Sequence, residues 1–481
     1  MRNRFTLLKT FTLLGRCNRA NVSLNDIIAA LDDSDMSISG SEDESDGYEP
    51  EEDDYGRKSE SSLSQSSDED APLAQTNISK KGSNKKQKNA NKNNWKKGLF
   101  DAGNILWDGE FDIGHVRYSP LELLMKYFTE DLFETIANET NVYSMTATGS
   151  SMNTNSFEIR KFFGINILMG NINLPRIRMY WQPATRIDRI AESMPVNRFF
   201  KLRQNIHAVS AREPPKDNTN KFWKVDPVVT AVHNMCRLLP HEEYCSVDDQ
   251  MIPFTERMPA KQVIKSKPNP LGIKNWVLCG KSGRALDFEL YQGAGTGIPA
   301  KYKHLGLGAS VVLRLAETIP EKQNYKLFFD NYFTGIPLLR ELKFKGMLSL
   351  GTIKAKRLQG CVLKTEKELR YPGAIDSKVS KKGDVCLTRW LDNGVVTLAS
   401  TLAGVEPQDK VKRWSDSAKE HIDVDRPYAV QLYNNFMGGV DKLDFLISLS
   451  DSSKEKEVAC KNDISFLGFF PGKLMAAIPT F

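Results

Sequence analysis

EYCSVDDQMIPF, residues 243–254, is a short β-branched and aromatic run, and it ends a long stretch of helical pattern. Its apolar start and following turn residues read as a buried strand that brings an acidic pair, Asp248-Asp249, to its end. Working outward, KNWVLCGKSGRALDFELYQG (274–293) and YKLFFDNYF (325–333) are strand-like runs separated by Gly, Pro and Lys. TGIPLLRELKFKG (334–346) then supplies a helix and GMLSLGTIK (346–354) a further strand. The order β, α, β predicts an α/β region.

Acids at strand ends are ordinary, because strands leave the core there. Two of them, Asp248 and Asp330 in KLFFDN (326–331), gain interest when joined to YNNFMGGVDKLDFLISL (433–449). There Gly438 and Gly439 precede Asp441 and Asp444, which stand three apart and share one face of a predicted helix. Acids also suit a helix N-terminus by themselves. If one sheet gathers them at its carboxyl edge, where open-sheet sites form, they make an all-oxygen donor set for hard divalent ions. Of neighbours Asp248 and Asp249, only one can face such a site, and spacing alone does not say which.

Upstream, YSPLELLMKYFTEDLFETIANETN (118–141) opens with Ser119 as N-cap and Pro120 at the first helical position. Helical spacing recurs through SFEIRKFFGINILMG (156–170), NRFFKLRQNIH (197–207) and VDPVVTAVHNMCRLL (225–239), with LPRIRMYWQ (174–182) as a basic, aromatic link. Downstream, DVCLTRWLDNGVVTLAS (384–400) predicts a hairpin turning at Asp392-Asn393-Gly394, within a small β insertion over residues 362–430. Folded sequence is expected from about residue 115, after a disordered N-terminal region (1–114). Residues 31–70 of that region carry 16 acids against Arg57 and Lys58, leaving +20 on the rest of a 481-residue chain whose net charge is +6. Residues 80–97 hold eight lysines and no acid, which suits a nuclear-import signal, a phosphate clamp or a linker.

A basic body with an acidic arm is the profile of a polyanion binder. Arg257, Lys261, Lys265, Lys267, Lys274 and Lys281 cluster around the first strand pair and are candidate DNA-phosphate contacts, or else a solvated face. Trp276, Trp390 and Trp414 are candidates for base stacking or for the core, with the core favoured for Trp276. The seven cysteines (17, 236, 245, 279, 361, 386, 460) form no CxxC pair, which argues for reduced thiols and against a zinc site. No apolar run is long enough to span a bilayer, so no membrane role is expected. The first 20 residues superficially suit a targeting peptide, but Lys9 interrupts their apolar stretch.

SVDDQMIPF (246–254), KPNPLGIKNWVLCGKSGRALDFELYQG (267–293), FFDNYFTGIPLLRELKFKGMLSLGT (328–352), GVVTLASTLAGVEPQDKVKRW (394–414) and YNNFMGGVDKLD (433–444) together resemble piggyBac transposases and their derived relatives. LMGNINLPRIRMYWQ (168–182) and SMPVNRFFKLRQNIH (193–207) are similar to the family's N-terminal helical half. The resemblance covers about residues 115–448. It implies an RNase H-like catalytic core (243–361 and 431–450) interrupted by the β-rich insertion (362–430), and preceded by a helical dimerisation and DNA-binding domain (115–242). It implies cut-and-paste transposition at TTAA targets, a nuclear location and a homodimer. Catalysis would fall to Asp248, Asp330 and Asp441, with Asp444 as a further metal ligand, on two Mg²⁺ (or Mn²⁺) ions. After residue 449 the resemblance is expected to stop. The 451–481 tail holds only Cys460, where the family has a Cys/His-rich zinc module, so none is expected in this chain. Two functions stay open: a DNA strand transferase, or a catalytically inactive nuclear DNA- or chromatin-binding factor.

Overall fold

The computed structural model describes residues 94–111 and 119–449, apart from 173, 255–257, 265–266, 268–269, 294–295 and 416–418. Expectations for the acidic arm, most of the lysine tract, the first 20 residues, the tail after residue 449, and for Arg257 and Lys265 lie outside the described residues.

The strand-like runs assemble into one large mixed sheet. Its strands are β1 (Trp95–Lys96), β2 (Tyr244–Pro253), β3 (Lys261–Val263), β4 (Leu271–Gly280), β5 (Ala285–Leu290), β6 (Lys326–Phe329), β7 (Leu348–Thr352), β8 (Ile375–Ser380), β9 (Cys386–Leu391) and β10 (Val395–Ser400). The order is β1-β8-β9-β10-β7-β6-β2-β4-β3, with β5 also on β4. Only β2–β6 and β6–β7 are parallel; β4 runs against both β2 and β5. A separate hairpin pairs β11 (Asp409–Ser415) with β12 (Glu420–Arg426).

The helices are α1 (Pro120–Tyr127), α2 (Glu130–Thr148), α3 (Ser156–Asn171), α4 (Asp188–Ala191), α5 (Val196–Asn205), α6 (Asp226–Arg237), α7 (Leu307–Leu315), α8 (Ile336–Phe344), α9 (Glu366–Leu369), α10 (Tyr428–Phe436) and α11 (Gly439–Leu449). α1 starts where expected, because Ser119 and Glu122 close a reciprocal capping box: the Ser119 hydroxyl accepts from Glu122 N at 3.2 Å and the Glu122 carboxylate from Ser119 N at 2.6 Å. The single helix expected through residue 141 is two. Thr129 caps a second start at Glu130, its hydroxyl accepting from Leu132 N.

Alternation along the central strands splits the core. Cys245 and Val247 of β2, Leu327 and Phe329 of β6, and Trp276 and Leu278 of β4 pack against α7 and α8. The opposite face presents Ser246, Asp248 and Gln250, with Val277 and Cys279 packing towards the helical half and α11. That helical half joins the core through a buried ion network. Asp287 of β5 has no exposed surface, and accepts from Arg314 at 2.7 Å, from Arg237 at 3.3 Å and from the His233 ring. Burial alone would raise its carboxyl; the His233 hydrogen bond and the Arg314 charge outweigh it and hold the group below the usual range.

The expected extent of the disordered N-terminal region needs correcting. Residues 94–111 do not belong with a disordered region: Trp95 and Trp107 pack against the core, Trp107 edge-on to Tyr325 at 5.6 Å, and β1 adds to the sheet at β8. Within the 362–430 stretch, β10 pairs antiparallel with β7 and carries β8 and β9 into the main sheet. Its hairpin turns as expected, with Val395 paired to Leu391. Cys236, Cys245, Cys279, Cys361 and Cys386 are buried free thiols, and no helix among the described residues is long and apolar enough to cross a membrane.

Candidate acidic site at the sheet edge

The β2–β6 register decides which acid of the pair faces the cleft. The last parallel pair is Val247 with Phe329, so Asp248 and Asp330 stand one residue further on, side by side on strands about 4.8 Å apart. Asp248 is mid-strand rather than at the strand end expected from the sequence, since β2 runs on to Pro253 against β4. What ends at Asp248 is the parallel pairing, and that is the carboxyl edge of β6. Asp248 shares its face with Ser246 and Gln250, whereas Asp249 alternates to the face of Val247.

Helix α11 delivers the remaining acids to that face. Val440 and Leu443 are buried in the helical-half core, which leaves Asp441 and Asp444 on the neighbouring stripe. Gly439 starts the helix, and room rather than a left-handed turn requires glycine there: a Cβ would lie 2.4 Å from Ser246 Oγ and 2.8 Å from the Gly280 carbonyl oxygen. Asp444 is tied to the sheet, its Oδ1 accepting from Gln250 Nε2 at 2.7 Å, while Asn275 Nδ2 donates to Gln250 Oε1 at 3.2 Å. Asp330 Oδ1 accepts from the Tyr332 amide at 2.9 Å.

These carboxylates sense one another. Burial, then the charges of Asp330, Asp249 and Asp441, push the Asp248 carboxyl well above its ordinary range. Burial also raises Asp330, against the backbone amides of Tyr332 and Phe333. Asp441 and Asp444 are raised in the same direction, by the walls around them, although both stay exposed at their tips, and that exposure limits the effect. Lys267 answers these acids: its Nζ donates to Asp249 Oδ2 and to its carbonyl oxygen, each at 3.2 Å, and its charge acts on Asp248 and Asp441 as well. Lys267, expected on DNA, thus lies inside the acid cluster. Asp249, Gln250 and Lys267 are members of the site that sequence reasoning did not assign to it.

The donor set is all oxygen with excess negative charge, which fits hard divalent ions. As the side chains stand, no three His, Cys, Asp or Glu groups among the described residues converge closely enough to enclose one ion.

The other basic candidates spread out. Lys274 of β4 lies over the rings of Tyr332, at 4.9 Å, and Trp276, at 5.7 Å. Lys261 is half-buried on β3. Lys281 stands just past the end of β4, seven residues and roughly 24 Å of chain from Lys274, with its ammonium over Phe436 at 5.1 Å. Trp276 and Trp390 are core residues, at 0% and 1% exposure, whereas Trp414 on β11 is 52% exposed.

Residues 119–463 match the family described as Transposase IS4. The match runs past residue 449, where the resemblance was expected to stop. The chain is 33% identical over 342 residues to PiggyBac transposable element-derived protein 3 of Homo sapiens, covering 69% of this chain and 56% of that protein. It is 31% identical over 365 residues to PiggyBac transposable element-derived protein 2 of Homo sapiens, covering 74% and 60%. The chain therefore spans a little over half the length of these relatives. Among solved structures, a piggyBac transposase synaptic complex with hairpin DNA shares the fold with a TM-score of 0.58 at 20% identity, covering 75% of this chain and 76% of that one.

Proposed function

Because the chain belongs to the Transposase IS4 family, in its piggyBac branch, we propose that it is a metal-dependent DNA strand transferase whose acids are Asp248, Asp330 and Asp441, assisted by Asp444. The observation that carries this is the register: Asp248 and Asp330 adjoin one residue beyond the last parallel pair, under the helix that bears Asp441. The strand order β5-β4-β2-β6-β7, antiparallel over its first three strands and parallel over its last three, supports an RNase H-like core.

In this reading the chain's own groups preset the site. The Tyr332 amide fixes Asp330, Gln250 fixes Asp444, and the close approach at Gly439 fixes the helix that carries Asp441. Lys267 holds the end of the acid pair through Asp249. Two divalent ions, Mg²⁺ or Mn²⁺, would be held by Asp248, Asp330, Asp441 and Asp444, and would supply charge stabilisation at the attacking and leaving oxygens of a phosphodiester. Lys274 beside Tyr332 would meet the strand's phosphates. DNA is the partner, TTAA the target, the nucleus the compartment and a homodimer the assembly in this proposal.

A second reading, DNA or chromatin binding without cutting, is favoured by one observation: the acids do not enclose an ion among the described residues, and an ammonium sits among them. Incubation with a labelled duplex carrying TTAA-flanked ends, in Mg²⁺, Mn²⁺ or chelator, separates the two. Cleavage by the parent that disappears in Asp330→Ala and in chelator is the expected result. Salt-sensitive binding with no cleavage by either protein would leave the second reading standing.

A further inference from the structure

The segment LPRIRMYWQ (174–182) holds none of the acids of the site, and neither the sheet nor α11 lines the cavity beside it. Tyr180 and Trp181 pin it down. The Tyr180 hydroxyl donates to the Met169 carbonyl at 3.0 Å and accepts from Leu174 N at 3.0 Å, while Trp181 Nε1 donates to the Met194 carbonyl at 2.8 Å. The residues between and beside these anchors open a cavity of about 430 Å³, lined by Arg176, Ile177, Arg178, Met179, Gln182 and Phe200. That falls within the range of about 300–1,000 Å³ in which small-molecule sites lie.

The charge here is uncompensated. Three other arginines of the helical half have acidic partners, Arg160 with Glu130, Arg186 with Asp188 and Arg198 with Glu158. Arg176 and Arg178 are exposed and share one cavity with no acid in its lining, and among the described residues neither has a carboxylate partner. Two like charges so placed favour an anion and disfavour any cation. The Arg178 guanidinium carbon lies 4.5 Å from the Phe200 ring centroid, a cation–π contact that positions the exposed guanidinium at the cavity wall, and a guanidinium plane can stack on a planar group. Gln182 adds an amide that can both donate and accept. Ile177 and Met179 give the cavity an apolar wall, which a bare inorganic anion would not use.

We propose that this cavity binds one unpaired nucleotide of a DNA strand, with Arg176 on its phosphate, its base stacked on the Arg178 plane and Gln182 at the base edge. An intact duplex offers the phosphate but keeps its bases inside the stack, so the planar and amide contacts select single-stranded or locally opened DNA. The inference rests on the reading of DNA as partner, but not on cleavage.

The test uses the full chain in chelator, with fluorescence anisotropy on labelled oligo(dT) and on a blunt duplex of equal length. Arg178→Ala is expected to weaken oligo(dT) binding about tenfold, as loss of one stacked base does, and duplex binding less than about twofold. Arg178→Lys, which keeps the charge and loses the plane, should behave like Arg178→Ala on oligo(dT). Arg176→Gln should lower the salt slope on oligo(dT) by about 0.7, the loss of one phosphate contact. Unchanged circular dichroism checks that the exposed positions leave the fold intact. Equal losses on both DNAs, no loss on either, or an Arg178→Lys protein that matches the parent would overturn the pocket while leaving general DNA binding in place. A parent that binds neither DNA would overturn the pocket together with the DNA reading.

Discussion

Gly439→Ala tests how tightly the acidic helix is seated. The added methyl would meet Ser246 Oγ at 2.4 Å and the Gly280 carbonyl oxygen at 2.8 Å. Ser246 Oγ is buried without a hydrogen-bond partner, so it can rotate away. The Gly280 carbonyl cannot, because it is backbone and accepts from Gly283 N at 3.0 Å in the β4–β5 turn. Ordinary contact begins at about 3.5 Å, so α11 must retreat by about 0.7 Å. The Gln250–Asp444 bond, now 2.7 Å, would stretch out of good hydrogen-bond range. Overpacking of this kind costs about 1–3 kcal/mol and the lost bond about 0.5–1.5 kcal/mol. The expected loss is roughly 2–3 kcal/mol in urea unfolding. If the chain cuts DNA, a displacement approaching 1 Å should slow cleavage by about ten- to a hundredfold. Adding Ser246→Ala should recover little, since the carbonyl sets the limit. Gly394→Ala, where a methyl would meet nothing within 4 Å, is the control. A Gly439→Ala protein within about 0.5 kcal/mol of the parent would refute the seating argument.

Asp248→Asn keeps the acceptor for Asp249 N, at 2.7 Å, while removing one of several mutually repelling charges. Its melting temperature without metal should therefore rise, and a fall would count against the cluster. The sign with pH follows from the same raised carboxyls. The folded state keeps protons on Asp248 and Asp330 that the unfolded chain sheds near about pH 4, so their contribution is complete below that value and drains as pH rises through the folded one. The Asp248→Asn advantage should accordingly shrink on acidification, and an advantage that grows there would contradict it. Asp287 behaves oppositely, its carboxyl being held low, so its stabilisation is lost as pH falls through the folded value. Asp287→Asn should cost about 3 kcal/mol, the low end for breaking a buried pair, because Arg314 keeps Glu289 at 3.0 Å; a loss under about 1 kcal/mol would show that the network contributes little.

Local pattern was enough for the strands around Asp248 and Asp330, for the cap at Ser119 and for the turn at Asp392-Asn393-Gly394, since each depends on neighbours a few residues away. The choice between Asp248 and Asp249 was not legible in the spacing, and only the family resemblance pointed to Asp248, because the choice rests on pairing of Val247 with Phe329, about 80 residues on. Lys267 looked like any other lysine of a basic stretch, and its place among the acids follows from the same long-range sheet. The break at Thr129 did have a local signal, a Thr before Glu130 and Asp131, overridden by continuous helical spacing. Trp95 sits in a lysine-rich tract and Trp107 between glycines and acids, so nothing nearby announced that both would be packed against the core.

The Trp95–Lys96 strand has a practical consequence for work with shortened proteins. A chain begun at residue 115 would lose the partner of Val379 and Ser380 and the indole that covers Tyr325. The newly bared rim of β8 would then recruit the same rim of another copy. Such a fragment should elute from a sizing column as soluble aggregates, whereas a start ahead of residue 94 should keep that rim covered.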